Sequence, residues 1–545
     1  MPSSLPLGVT DPRVLAAFAI RLQTAIRQAQ VPLPSHATNG DEDKYGDKSG
    51  TYSKALKQSR AGVVAPAAFA AFRSALGSPD GSLIGTGDFE SVPIGGTRKL
   101  NGPLGSFAYT LVGTDSQQFG VHDWAGALIC PPAPRLAGET YAGELIELYW
   151  ASLLRDVPFS AYPGNATAQA AAAELNTLAS YKGPRDTAGK VTPDNLFRGG
   201  GLFSNEGGPP APWFAGETIG PYVSQFLVQP TTLGVQPIDQ FWGIAAAGQD
   251  YMKTLAEWEA VQSGVFDGTL PPTSKRAYAY CGRSLSTFTH QDELYQAYFV
   301  AYLVLRSLQV PPNPDNPYAT FTHQQPFGTF GPPDIAATLA AVARVALNAV
   351  WYQKWIVHLR HRPESGGGIV ELEATGHGGS IDAKVSPTAL NSKAIAQSAS
   401  VNGSHLLAQA FPEGSPAHPA YPTGHGTVGG ACITVLKFFF DGGANLFAAG
   451  GKPRTSAADG QSLEIYSGPD AASLTVDGEL HKLAHNITFG HGIHGGIHWR
   501  SDSDFSIRLG EAVALSYLQD QVRTYKEKVS VRLTRVDGSV ATIYN

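Results

Sequence analysis

Glu413-Gly414-Ser415-Pro416-Ala417-His418-Pro419-Ala420-Tyr421-Pro422-Thr423-Gly424-His425-Gly426-Thr427 leads straight into an apolar run that ends near Phe440. Three prolines and three glycines hold the first part out of regular structure. The run from Gly426 to Phe440 predicts an apolar helix. A hydroxyl, a glycine and a histidine at such a helix start offer free backbone N–H groups and a positive dipole end, an anion cradle with a titratable group beside it. The plainer reading of Thr423 as an N-cap is compatible with this one.

Two further segments carry similar chemistry. Trp351-Tyr352-Gln353-Lys354-Trp355-Ile356-Val357-His358-Leu359-Arg360-His361-Arg362-Pro363-Glu364 closes a long apolar helix predicted over Asp334–His358. Cations at a helix C-terminus are ordinary. Lys354, Arg360 and Arg362 within nine positions, halted by a proline, suit a tetrahedral oxyanion better. Gly490-His491-Gly492-Ile493-His494-Gly495-Gly496-Ile497-His498-Trp499-Arg500-Ser501-Asp502 places three histidines within eight residues, ahead of a helix predicted over Phe505–Val522.

The rest of the chain sets the frame. It has 545 residues, 43% hydrophobic and 10% aromatic, enough for a large core. Charged residues are 15% and the net charge is −6, which gives no support for a nucleic-acid or anionic-membrane partner. Low charge also fits surface buried between subunits. Other predicted helices are Val14–Gln30, Pro66–Leu76, Gly143–Leu154, Ala166–Tyr181 and a core helix around Leu294–Leu308. Strand signals are few: Thr110-Leu111-Val112, Leu463-Glu464-Ile465-Tyr466 and the final Val529–Tyr544. Gly/Pro-rich loops are read at Asn195–Trp213 and Gly366–Gly379, with a further Gly-rich tract near Gly450. The start lacks a basic, apolar leader, and the longest apolar run, Tyr298–Leu305, is too short to cross a bilayer. Cys130, Cys281 and Cys432 are odd in number and far apart, which argues against a disulfide framework. The expectation is a soluble, cytoplasmic, mainly α protein with long loops and a few short strands.

Taken together, Lys354…Arg362-Pro363, then Pro422-Thr423-Gly424-His425, then His498…Asp502 resemble the vanadium-dependent haloperoxidase and acid phosphatase superfamily. The stretch Phe411–His425, with Leu145–Pro158, Gly220–Leu227, Asp292–Tyr298, Thr51–Lys54 and Arg98–Leu100, is similar to its algal and cyanobacterial bromoperoxidase branch. The resemblance covers about residues 45–525. It implies one helical-bundle domain over 1–545, its second half, from about 291, carrying the site and its first half, to about 290, helices and loops. It implies vanadate as cofactor, with hydrogen peroxide, a halide and small organic molecules as reactants, and a homo-oligomer built from dimers.

Carried over by position, His498 is the vanadium ligand. Lys354, Arg362, Thr423 and the Gly424 N–H bind the oxyanion, and Lys354 polarises bound peroxide. His425 is the acid/base, His418 and Trp351 shape the halide pocket, and Asp292 supports from behind. Two departures stand out. Threonine occupies Thr423 where the family usually has serine. The arginine expected six residues before His498 is Gly492 here. A one-residue insertion would bring His491 to that place, and Arg360 and Arg500 are other replacements. Loss of the arginine predicts vanadate affinity weakened by roughly tenfold to a hundredfold. An acid phosphatase with His498 as nucleophile, or an anion-binding assembly protein, are the alternatives.

Overall fold

The helix behind His425 runs Gly424–Phe439, and every residue from His425 onward is buried. In the computed structural model, residues 11–30, 34–77, 87–103, 105, 128–199, 202, 203, 211, 212 and 214–545 are described. The strand expected at 110–112 and much of the 195–213 loop lie outside them.

The helices that carry the site are numbered in chain order: α1 (Glu139–Leu154), α2 (Gly282–Gln291), α3 (Gln296–Ser307), α4 (Pro332–Tyr352), α5 (Pro363–Ala374), α6 (Gly424–Phe439), α7 (Val476–Phe489) and α8 (Arg500–Gln521). The buried α6 is wrapped by α4, α7 and α8. Its tightest neighbour is α8. A Cβ at Gly430 would sit 1.9 Å from the Ile507 carbonyl oxygen, and one at Gly510 1.9 Å from that of Thr427. Only glycine admits backbones this close.

Among the described residues, five two-stranded antiparallel sheets decorate the bundle. One is the C-terminal hairpin, Ser530–Thr534 paired with Val540–Tyr544, where a single strand signal was read. Another pairs Leu463–Ile465 with Arg454–Ser456. One hydrophobic cluster draws on residues from Tyr45 to Ile543.

The structure corrects several expectations. Gly366–Gly379 is not a loop along its length, since α5 runs to Ala374. Its three glycines are a packing surface: a Cβ at Gly366 would lie 2.5 Å from the Tyr141 hydroxyl, at Gly367 2.6 Å from Leu407 N, and at Gly368 1.9 Å from Trp258 Cζ2. Each glycine costs about 1 kcal/mol of helix propensity, which the close approach of these neighbours offsets. The helix expected to end at Tyr181 stops at Thr177, where Leu178 turns extended. The last bundle helix starts at Arg500, five residues before the expected Phe505. The stretch Pro332–Ala374 passes a membrane-span test on length and composition, half of its most apolar window being buried in the chain.

Candidate functional site

Two π-helical turns flank the site. The first, Gln353–His358, extends α4, and the second, Gly490–His494, extends α7. Such turns hold one more residue than an α-helical turn and change which face later side chains occupy.

After the first turn, Leu359 adopts a left-handed conformation at φ 43°. That is costly for leucine, about 1–2 kcal/mol. Its carbonyl is held there by Tyr52 N and Thr51 Oγ1, both at 2.8 Å. The reversal returns Arg360 and Arg362 to the site. Lys54 supports the same region through Glu364 at 2.5 Å and the Ser415 carbonyl at 2.6 Å. Burial brings the Lys54 ammonium down to about 7, against the pull of Glu364.

Lys354 is fully buried and donates to the Pro419 and Ala420 carbonyls at 3.0 and 2.7 Å. Burial, with Arg362 nearby, holds its ammonium well below the usual lysine range. Arg362 donates from Nε to the His418 carbonyl and from Nη1 to the Ile497 carbonyl, each at 2.9 Å. The same Nη1 lies 2.8 Å from His498 Nε2, and Nη2 lies 3.0 Å from His418 Nδ1. Burial lowers Arg362 to about 10, still a cation at neutral pH.

His498 has its other nitrogen, Nδ1, 3.0 Å from Asp502 Oδ2. The carboxylate accepts a hydrogen bond from Nδ1–H, which leaves Nε2 with a lone pair aimed at the arginine. Asp502 is itself fixed by the Trp499 N–H at 3.0 Å and by Arg360 Nη1 at 2.6 Å. Arg360 also bonds Glu144 Oε2 at 3.0 Å. Arg500 Nε bonds Glu147 Oε2 at 2.8 Å. Both arginines are thus engaged with α1 carboxylates, and neither replaces the missing one.

The second π turn brings His491 in. Its ring centroid lies 4.2 Å from that of His425 and 6.0 Å from that of His498. Its Nδ1 is buried with no hydrogen-bond partner. Burial, with His425, His498 and Arg362 around it, holds the imidazole well below its ordinary pKa of 6.5. Gly492 faces His498 so closely that a Cβ there would come 2.9 Å from His498 Cβ. A side chain as long as arginine has no room at that position. His494 turns elsewhere, 3.0 Å from the Tyr222 hydroxyl.

Thr423 occupies the N-cap position of α6, yet its side chain makes no capping bond. Its N–H donates to the Asp502 carbonyl at 3.0 Å, while Oγ1 is buried without a partner. His425 Nε2 lies 2.9 Å from Asp292 Oδ1, so Nδ1 is its remaining nitrogen. The Trp351 and His418 rings lie 4.8 Å apart, and the Trp351 indole N–H donates to the Gly102 carbonyl at 2.7 Å.

The structure therefore gathers Lys354, Arg362, His418, Thr423, Gly424, His425, His491 and His498, with Trp351 and Asp292 behind. Glu144 and its link through Arg360 to Asp502 were not foreseen. No spacing pattern connects residues this far apart in sequence; the hint was buried-looking acids, Glu144 and Glu147, within a largely apolar helix. His358 and His361 are packing groups. His358 packs edge-on to Tyr421, and His361 bonds the Tyr141 hydroxyl at 2.9 Å and the Gly50 carbonyl at 3.0 Å.

A pocket with two cationic side chains, helix-start N–H groups, an unused hydroxyl and a fixed imidazole lone pair can hold a tetrahedral oxyanion and bind its central atom once.

No family profile matches the chain. Comparison with curated proteins gives 30% identity to the vanadium-dependent bromoperoxidase of Corallina officinalis, across 99% of this chain and 100% of that protein. The bromoperoxidase of Corallina pilulifera is 32% identical over 77% of each. That of Ascophyllum nodosum is 28% identical over 97% of this chain and 92% of its own. Among solved structures, the homohexameric second vanadate-dependent bromoperoxidase of Ascophyllum nodosum superposes with a TM-score of 0.86 at 27% identity, covering 100% of this chain and 93% of that one.

Proposed function

The chain belongs to the vanadium-dependent bromoperoxidases, and from that premise we propose that it oxidises bromide with hydrogen peroxide to a hypohalous-acid equivalent, which halogenates small organic molecules. The observation that carries this reading is the His498 Nε2 lone pair. It is fixed by Asp502 and set among Arg362, Lys354 and the start of α6.

Vanadate fits the residues present. Two buried polar atoms, Thr423 Oγ1 and His491 Nδ1, lack partners, and leaving such atoms unmet costs about 1–3 kcal/mol each. An oxyanion supplies acceptors for the Thr423 hydroxyl and, in the tautomer with a proton on Nδ1, for His491. His498 would be its one protein ligand. Lys354, Arg362, Thr423 and the Gly424 N–H would hold the oxygens. Bound vanadate supplies a Lewis acid that polarises peroxide without changing oxidation state.

The protein's own groups do the rest. Asp292 holds His425 Nε2, leaving Nδ1 to exchange a proton with entering peroxide. Lys354 would place a positive end against developing negative charge. His418 and Trp351 form the wall where halide approaches. His418 is held neutral by burial and the neighbouring cations, so it contributes shape and a hydrogen bond more than charge. His491 stands where the arginine is missing and, being neutral, supplies no permanent charge, so vanadate is held more weakly than with a guanidinium.

A hydrophobic cluster that draws on residues from Tyr45 to Ile543 supports one domain over 1–545. By analogy with the homohexameric relative, the protein works as a homo-oligomer of dimers, free of membrane and in the cytoplasm. The test is a vanadate titration against bromide-dependent halogenation of a phenolic dye with peroxide. Saturable, vanadate-dependent turnover is expected. No bromide-dependent turnover at saturating vanadate overturns the reading.

A further inference from the structure

On the side of Asp292 away from the assigned chemistry lies a cleft of about 310 Å³. Its walls come from α2, α3 and the strands Gln236–Ile238 and Trp242–Ala245. They include Leu227, Trp242, Phe288 and Val300, with Asp292 itself in the lining. Trp242 and Phe288 form a tilted ring pair with centroids 4.9 Å apart. Among the described lining residues there is no lysine, arginine or histidine, and the other acid, Asp239, is already paired with Arg276.

The Asp292 side chain is 2% exposed. One oxygen meets His425; the other, Oδ2, is buried and has no protein partner. A carboxylate oxygen accepts only, and a buried one left unmet is costly. The volume is that of a small-molecule site, and the mix of two aromatic rings with a few polar groups is typical of one.

We propose that this cleft binds a small, flat aromatic molecule bearing an N–H or O–H donor, an indole or a phenol, with the donor on Asp292 Oδ2 and the ring against Trp242 and Phe288. Anions are disfavoured, because no cation of the lining answers them. The site communicates with the assigned chemistry through one residue, since Asp292 also holds His425. Binding does not rest on the bromoperoxidase reading, and its test uses neither vanadate nor peroxide, so the two fail separately.

The experiment is calorimetric titration of the full-length protein with indole, 1-methylindole and indole-3-carboxylate. Indole is expected to bind with a Kd of about 1 mM or tighter, as its few atoms allow. 1-Methylindole keeps the ring and loses the donor, so it should bind at least about tenfold more weakly. The carboxylate should bind more weakly still. Val300→Trp and Thr287→Phe fill the cleft from two different helices, and either, once its melting temperature matches that of the wild type, should abolish indole binding. Equal affinity for indole and 1-methylindole, no binding of indole at about 5 mM, or binding that survives the filled cleft overturns the proposal. The methyl comparison needs no variant, so a misfolded mutant leaves the test intact.

Discussion

The two π turns that bracket the site do opposite things with the residues they deliver. The first, at Gln353–His358, leads into Arg360 and Arg362, whose donors are engaged on named partners. The second, at Gly490–His494, delivers His491 with an unmet nitrogen. One turn leads to arginines already bonded to the protein, and the other sets an unpartnered imidazole nitrogen beside His425 and His498. The comparison teaches that the cations legible in the sequence are partly structural, whereas the groups left without a partner are neutral ones, His491 Nδ1 and the Thr423 hydroxyl.

The largest effect expected is on the second flank. His498→Ala removes the lone pair that Asp502 fixes, and vanadate binding, read by equilibrium dialysis, should fall by about a thousandfold or more. Retained binding would mean that the first flank alone holds the anion.

The histidines of the first flank should instead act on the fold. Burial presses His361 from 6.5 down to about 4. Between those values the unfolded chain carries a proton that the folded chain refuses. The stabilisation is complete above about pH 6.5 and is lost as pH falls toward 4, by up to about 3 kcal/mol. Urea unfolding at several pH values should show this slope, and His361→Gln should flatten it.

His491→Arg then tests the second turn. Placing a permanent two-pronged donor on the second π turn should tighten vanadate binding by roughly tenfold to a hundredfold. Unchanged affinity would argue that His491 does not stand in the arginine's place.

The smallest effect is also the most discriminating. Thr423→Val keeps the shape and removes the hydroxyl. An N-cap that works as one loses about 1 kcal/mol or more on such a change. Because Thr423 caps nothing, the melting temperature should barely move, while vanadate affinity falls by about fivefold to tenfold. A drop in stability with affinity unchanged would return Thr423 to a capping role.

Much of this was readable from residue order. The Gly426–Phe440 run announced an apolar helix, Pro66–Leu76 was read to the residue, and the three motifs marked the segments that meet. Other features needed three dimensions. The glycines of α5 look like a linker until Trp258, Tyr141 and Leu407 are seen to occupy the space their side chains would need. A π turn leaves no mark in a single sequence, because an added residue shows only against the helix it interrupts; at His491 the hint was an arginine motif one step out of register. The Glu144–Arg360–Asp502 chain joins acids and bases whose pairing no local periodicity encodes.

The reciprocal glycines at Gly430 and Gly510 bear on how accurately the site can be held. With α6 and α8 touching carbonyl to Cα, there is no side-chain cushion between them to compress or re-rotamerise. Thr423 stands at the head of α6 and His498 just ahead of α8. The separation of hydroxyl and imidazole is thus gauged by bare backbone, like two rulers clamped edge to edge. Thermal wear elsewhere in the loops can change what reaches the pocket, but the gap across it follows this clamp.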